Sequence, residues 1–252
     1  MPSKLSWLAL GVGAYIAFAV ANFPAAQAYQ WFAPPVVRLA GVTGTVWSGA
    51  AEVGNVAGLP LSNLRFRFQP LALLLGKLSG TVEARLPDGF FDTEITATTE
   101  RISLHELRAA TSLQSLREFL PIYGTQGQIS LTLDSLEIEN GWPAVAVGEA
   151  RIGQLRVAPL LPTASGNLIE LGDYSARFLE QVEPGLSADI TDLSGPLELE
   201  GHATLLPDRS YSLEGRIRAR PEAAPELVQG IEIMTSEPDA EGRRAFTLAG
   251  SL

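Results

Sequence analysis

Six runs of this chain begin at a glycine and then alternate apolar with polar residues. They are Gly80-Thr-Val-Glu-Ala, Gly127-Gln-Ile-Ser-Leu, Gly166-Asn-Leu-Ile-Glu, Gly195-Pro-Leu-Glu-Leu, Gly201-His-Ala-Thr-Leu and Gly215-Arg-Ile-Arg-Ala. A period of two puts successive side chains on opposite faces of a strand, so each run reads as a half-buried β-strand. Turn signals separate the runs at intervals of roughly 8–12 residues, the spacing of an antiparallel sheet, sandwich or partly open barrel. No helix alternates with strand, so a doubly wound parallel sheet is not expected. The 24 glycines and a charged fraction of only 18% also argue against a helical bundle. The expected architecture is mainly β: an amino-terminal transmembrane helix, then an antiparallel meander, curved sheet or open barrel with one or two short helices.

Residues 5–23 are apolar or small at nearly every position and carry no charge. Their length is close to the ~20 residues that cross a bilayer as a helix. Lys4 precedes them and Arg38 is the next charge. Positive residues stay on the cytoplasmic side, which places the amino terminus inside and the body outside. A cleaved signal peptide is the rival, since Ala26-Gln27-Ala28 matches an A-x-A site after Pro24, but the apolar run is longer than a usual h-region. A buried core helix is a third reading, with little polar surface to support it. The domain expectation is therefore a cytoplasmic tail at 1–4, a transmembrane anchor at 5–23, a linker at 24–35 and a periplasmic β domain at 36–252. Within the linker, residues 25–32 suit one short helix.

Beyond the linker, residues 36–47 alternate loosely and break at Gly41 and Gly44. Ser48-Gly49 is a turn, and 50–56 is a short strand. Leu64, Phe66 and Phe68 alternate strictly with Arg65, Arg67 and Gln69. Pro70 is favourable at the first position of a helix, and the leucines after it predict a two-turn helix over 71–77, with a fully buried strand as the alternative. Strands follow at 78–86 and 91–99. Leu104, Leu107, Leu113, Leu116 and Leu120 recur mostly at three- and four-residue intervals, predicting a helix over 104–120. Ser103 would cap it with Glu106 as capping-box partner, and His105 would lie on its wet side. Strand candidates then run at 127–139, with a phase change after Leu133, and at 142–147, 149–157, 166–171, 174–180, 186–191, 195–205, 211–220 and 245–252. Asn140-Gly141, Gly172-Asp173 and 207–210 read as turns, and 224–229 as a small helical piece.

The chemistry is sparse. A chain without cysteine has no disulfides, thiolate nucleophiles or Cys-zinc sites. His105 and His202 stand alone, without zinc-ligand spacing. There is no G-x-S-x-G, P-loop or H-E-x-x-H. Gly11-Val12-Gly13 lies inside the apolar segment and cannot cradle a pyrophosphate. A Ser/His/acid triad around His202 has no strand-turn-helix elbow to present the serine. Glu137, Glu139, Glu198 and Glu200 sit two apart on strands, as on a solvated face. Neither catalytic residues nor cofactor or metal ligands are expected. The net charge of −10, with Lys4 and Lys77 the only lysines, is wrong for nucleic acid. Arg65 with Arg67, and Arg216, Arg218 and Arg220, are the only basic stripes. They read either as charge balancing nearby Glu or as contacts for an acidic strand or lipid phosphate.

Several stretches together resemble the type II secretion system protein N family (general secretion pathway protein N). They are the amino-terminal anchor followed by Pro24-Ala25, Gly41-Val42-Thr43-Gly44-Thr45-Val46-Trp47-Ser48-Gly49, residues 66–78 from Phe66-Arg67-Phe68-Gln69-Pro70 through Leu74, Gly76 and Leu78, Leu171-Gly172-Asp173-Tyr174, and Gly195 to Gly201. The signature rests most on Gly44, Thr45, Val46, Trp47 and Gly49 together with Phe66, Phe68, Pro70, Leu74 and Gly76, which are also the candidate interaction positions. The carboxyl end departs from the pattern at Met234-Thr235-Ser236-Glu237. The resemblance implies a single-pass inner-membrane protein with its bulk in the periplasm, a non-enzymatic accessory subunit of protein secretion whose partners are other type II secretion proteins and the bilayer. Exposed strand edges would serve β-augmentation. The alternative is an envelope lipid-binding or lipid-transfer protein using an apolar β groove, distinguished by a face that is continuously apolar and open. Trp47 reads as a buried anchor or as an exposed binding aromatic.

Overall fold

The computed structural model describes residues 4–56, 58–73, 75–117, 124–158, 168–180 and 185–251. It opens with helices α1 (Lys4–Ala21) and α2 (Ala25–Phe32). Strands β1 (Val37–Ala40), β2 (Thr43–Gly44), β3 (Ser48–Val56) and β4 (Leu59–Phe68) follow, then the one-turn helix α3 (Pro70–Leu73). Next come β5 (Leu78–Leu86), β6 (Gly89–Ala97), β7 (Arg101–Ser112), a 3-10 turn (Leu113–Leu116), β8 (Gln126–Glu139), β9 (Trp142–Val157) and β10 (Ile169–Phe178). The chain closes with β11 (Leu186–Ser194), β12 (Leu197–Leu205), β13 (Ser210–Ala219), α4 (Pro225–Met234) and β14 (Arg244–Ser251). All strands belong to one antiparallel sheet in the order β1-β3-β4 and onward to β14, with β2 extending β1 along β3. The mainly-β meander expected from the alternating runs is what forms.

The helix expected over 104–120 is replaced by β7 and the 3-10 turn, with residues 118–120 outside the described residues. The three-residue step from Leu104 to Leu107, which imitates a helix, is made by a β-bulge. His105 pairs with Glu94 and Arg108 with Asp92, so β7 spends one more residue than β6. The extra residue is Glu106, at φ 48°. Beyond the bulge Leu107, Ala109 and Thr111 alternate as strand residues do. The bulge continues into β8. Ser135 pairs with His105 and Leu133 with Leu107, while β9 advances only from Val147 to Gly148. That is the phase change after Leu133. A similar extra residue, Asn63 (φ 50°) in β4 against β5, sits near the other end of the sheet, opposite Glu52 of β3. Ser103 and Glu106 therefore form no capping box, and His105 is exposed on a strand.

Other boundaries shift for related reasons. The two strands expected at 142–147 and 149–157 are one strand, β9, through Gly148. The turn expected at Gly172-Asp173 is a bulge inside β10. Gly172 has φ +91°, and a Cβ there would lie 2.1 Å from the Ser194 carbonyl oxygen, so only glycine fits. Asp173 clamps the bulge. One carboxylate oxygen accepts the Gln154 N–H (2.7 Å) and the other the Ser194 hydroxyl (2.6 Å). These two hydrogen bonds, the serine's first, hold its carboxyl below the usual range. Helix α3 is half the length expected, closing at Gly76 (φ +70°).

The sheet is one layer thick over most of its extent. A single compact domain of 26.9 kDa would expose about 10,800 Å²; this chain exposes 16329 Å². The tightest core is small: Leu107, Leu133 and Ala146, ringed by Phe91, Leu104, Leu131, Leu136, Phe178 and Leu186. Leu107 and Leu133 face each other across the β7–β8 ladder, each 3% exposed.

An apolar sheet face, an open edge and the helix junction

Register places a mostly apolar row on one face of the sheet, paired directly from Phe91 to Phe246 and offset along the strand between Leu61 and Phe66 and at Val82, whose β6 partner is Thr93. Leu39, Gly54 and Leu61 lead to Phe66 and Val82, then to Phe91, Ala109, Leu131, Ala150 and Ala176. From Ala176 it continues through Ile190 and Gly201 to Gly215 and Phe246. The paired bulges keep the row on one face despite the breaks in period. Large side chains lie flat over cross-strand glycines. A Cβ on Gly49 would meet the Phe66 ring at 2.6 Å, one on Gly80 the Phe68 ring at 2.6 Å, and one on Gly215 the Phe246 ring at 2.9 Å. Two of the glycines that start the runs, Gly80 and Gly215, thus make room for aromatic neighbours on this face, as aromatic residues cover glycine in sheets. Of the six, Gly166 is outside the described residues.

The signature residues converge at the start of β3. Phe66 and Phe68 stack at 5.5 Å between centroids, over Gly49 and Gly80. Thr45 Oγ1 accepts the N–H of Trp47 and of Ser48, both at 3.3 Å, shaping the turn. Gly44 (φ +89°) runs against the Ser48 carbonyl, where a Cβ would sit at 2.4 Å. The Val46 N–H donates to Phe23 O at 3.0 Å. Trp47 is half-buried, and its indole N–H donates to Val20 O in the last turn of α1 at 2.8 Å. It is an anchor, but to α1 rather than to a sheet core. Trp47 O in turn accepts the Phe68 N–H at 2.7 Å, just before Pro70 opens α3. Leu74 lies outside the described residues. The signature thus joins α1, the first strands and the α3 turn at one end of the sheet.

The two edges differ. Tyr29 of α2 covers β1: its hydroxyl accepts the Leu39 N–H (2.8 Å) and donates to Val37 O (3.2 Å). This satisfies backbone groups that an edge strand leaves open. β14 pairs with β13 over eight residues without a bulge, and Arg244 is its only charged residue. At its start the Ser236 N–H donates to Ala245 O at 3.0 Å and Pro238 bridges Arg244; from Phe246 onward, among the described residues, no strand pairs with its outer side.

The opposite face is polar, and several of its charges are paired. Arg218 bonds Glu198, and Arg220 bonds Asp192 at 2.5 Å and Gly195 O at 2.6 Å. The stripe at 216–220 is thus largely a balanced surface. Arg101 bridges Glu137 and Glu139. Arg151 forks onto Glu149 and, by that hydrogen bond first, holds the Glu149 carboxyl below its usual value. Sequence reasoning missed one cluster. His202 Nε2 meets Ser187 Oγ and Nδ1 meets Asp189 Oδ1, each at 2.8 Å. The geometry resembles a nucleophile, base and acid, but Ser187 is 1% exposed. Its hydroxyl lies buried on a regular strand rather than on an exposed elbow, and the three side chains are tied together across the β11–β12 ladder. The signal was available: Ser187 and Asp189 are two apart on one strand, and His202 lies opposite Asp189.

A family model for type II secretion system (T2SS), protein N matches residues 35–247. The chain belongs to the type II secretion system protein N family. It is similar to the type II secretion system protein N of Aeromonas hydrophila, at 26% identity over 262 residues that cover 100% of both chains. The Klebsiella pneumoniae protein of the same name is 25% identical over 210 residues, covering 82% of this chain and 80% of that one. No solved structure matches. Membership makes the chain a component of type II secretion. Among the described residues, no helix is long and apolar enough to cross a membrane.

Proposed function

We propose that this family member is a non-enzymatic accessory subunit of the secretion machinery, held in the inner membrane by its amino-terminal segment. Its β domain stands in the periplasm and contacts other secretion proteins. The single observation that carries this reading is the apolar face of a sheet one layer thick, ending at a β14 edge that is open beyond Ala245. A monomer gains nothing from leaving that much apolar surface in water, whereas a subunit gains a docking surface. Anchoring is supported by the side chains of α1, with Tyr15, Ile16 and Phe18 all outward and uncovered. The charge pattern, Lys4 before the segment and Arg38 after Pro35, supports the inward amino terminus. The test is purification of the tagged full chain from membranes in mild detergent. Recovery of other type II secretion proteins supports the reading, and their absence from a preparation that keeps the machinery intact opposes it.

The continuity of that apolar face from Phe91 to Phe246 also favours the second reading, an acyl-chain groove for lipid. Full chain exchanged into a lipid-free detergent and offered phosphatidylethanolamine would retain lipid stoichiometrically on this reading. A chain that exchanges all its lipid for detergent rules the reading out.

A further inference from the structure

The α3 turn is an apolar protrusion where a β-reversal is ordinarily polar. Leu71 is 75% exposed and Leu75 79% exposed, with Leu73 also outward. Other reversals at this end of the sheet are polar: Thr98-Thr99-Glu100, Asn140-Gly141 and Pro207-Asp208-Arg209. The turn differs from them in place as well. Phe68 N–H donates to Trp47 O, and the Trp47 indole donates to Val20 O, so α3 stands two hydrogen bonds from the last turn of α1. Lys77 follows the leucines directly and is exposed. The only other lysine, Lys4, stands at the opposite end of the apolar segment. Leucines that project into a bilayer boundary, with a lysine reaching the phosphates and a tryptophan at headgroup depth, are the pattern of an interfacial contact.

We propose that the Leu71–Leu75 turn is a second membrane contact, inserted into the leaflet where α1 emerges. Together with α1 it would fix how the sheet stands on the bilayer. α1 alone is a swivel, whereas two contacts joined through Trp47 define a plane. This rests on the reading of α1 as a membrane anchor, and the experiment separates the two.

The chain has no cysteine, so single-cysteine variants can be labelled without background. Leu75→Cys, Val12→Cys and Asp88→Cys carry an environment-sensitive fluorophore in full-length chain reconstituted into phosphatidylethanolamine/phosphatidylglycerol vesicles. Asp88 sits in the turn at the far end of β5. Quenching by lipid-borne nitroxide is compared with quenching by aqueous iodide. The expected result is strong nitroxide quenching at Val12 and Leu75 and iodide quenching at Asp88. Iodide quenching at Leu75 with nitroxide quenching at Val12 overturns the second contact and leaves the anchor. Iodide quenching at both positions overturns both. A Leu75 label shielded from both quenchers lies against protein and also overturns the proposal.

Discussion

The ring of Phe66 lies over the α-carbon of Gly49, directly across the β3–β4 ladder, so closely that a methyl group on Gly49 would stand 2.6 Å from its Cζ. The same methyl would stand 2.7 Å from Thr43 O. Gly49→Ala must displace either the ring or the β2 backbone, an overpacking cost of roughly 1–3 kcal/mol. Urea unfolding should give a lower midpoint with an unchanged slope. In Phe66→Ala the ring is gone, and Gly49→Ala should cost less there. Equal costs in the two backgrounds would mean the ring is not what the glycine accommodates.

Glu106 supplies the bulge that keeps Leu104 and Leu107 on one face. At φ 48° a β-branched residue is strained by roughly 1–2 kcal/mol, so Glu106→Val should lower stability while Glu106→Gly should not. Deleting Glu106 should be far worse, because it turns Leu107, Ala109 and Thr111 to the polar face. Thermal unfolding of the three variants ranks them, and a deletion no worse than Glu106→Val would contradict the bulge register.

That bulge also marks where the fold was legible in the sequence and where it was not. The strand at Leu64–Phe68 could be read because its alternation and pairing are regular up to Phe68. The stretch at Leu104–Leu113 could not, because one inserted residue converts a period of two into a helix-like step of three. A local pattern cannot distinguish that from a helical turn; only the partner strand, with its own extra residue at Asp134, does. Asp173 illustrates the same limit, since Gly172-Asp173 looks like a turn until Ser194 and Gln154 are seen to grip the carboxylate. At the site, the Trp47 and Phe68 stretches stood out in sequence as a joint signature, but their contact did not, because it is made by backbone groups brought together by the β3–β4 register. Nor was the exposure of Leu71 and Leu75 legible, because burial depends on what the fold brings alongside.

Tyr174 sets an alkaline limit. Burial, with the nearby Asp192 charge, pushes its phenol from 10.0 up to about 12, and its hydroxyl donates to Leu171 O at 2.8 Å. Between those values the folded chain keeps a proton that the unfolded chain loses. Its contribution is therefore whole below pH 10 and lost as pH rises to about 12. The swing is roughly 3 kcal/mol at about 1.36 kcal/mol per pH unit, before solvent screening of this partly exposed phenol reduces it. Unfolding free energies at stepped pH should fall more steeply for the native chain than for Tyr174→Phe across this window. Parallel slopes would show that the phenol is not held neutral.

Ser187 should not behave as a nucleophile despite its bond to His202. A fluorophosphonate probe should leave it unlabelled in the native chain. Ser187→Ala should cost about 1 kcal/mol of stability, the net worth of a buried hydrogen bond. Stoichiometric labelling at Ser187 would reopen a hydrolytic reading.

The central claim is that the apolar face of the sheet is a working surface of a secretion subunit. Leu248 and Thr247 are neighbours on β14 that point to opposite faces, and Leu248 is 52% exposed. Replacing each with a photo-crosslinking amino acid in cells that assemble the secretion machinery compares the two faces under identical conditions. The prediction is a discrete adduct from position 248, to another secretion protein or to lipid, and none from 247. Adducts from 247 alone, or equally from both, would contradict the claim.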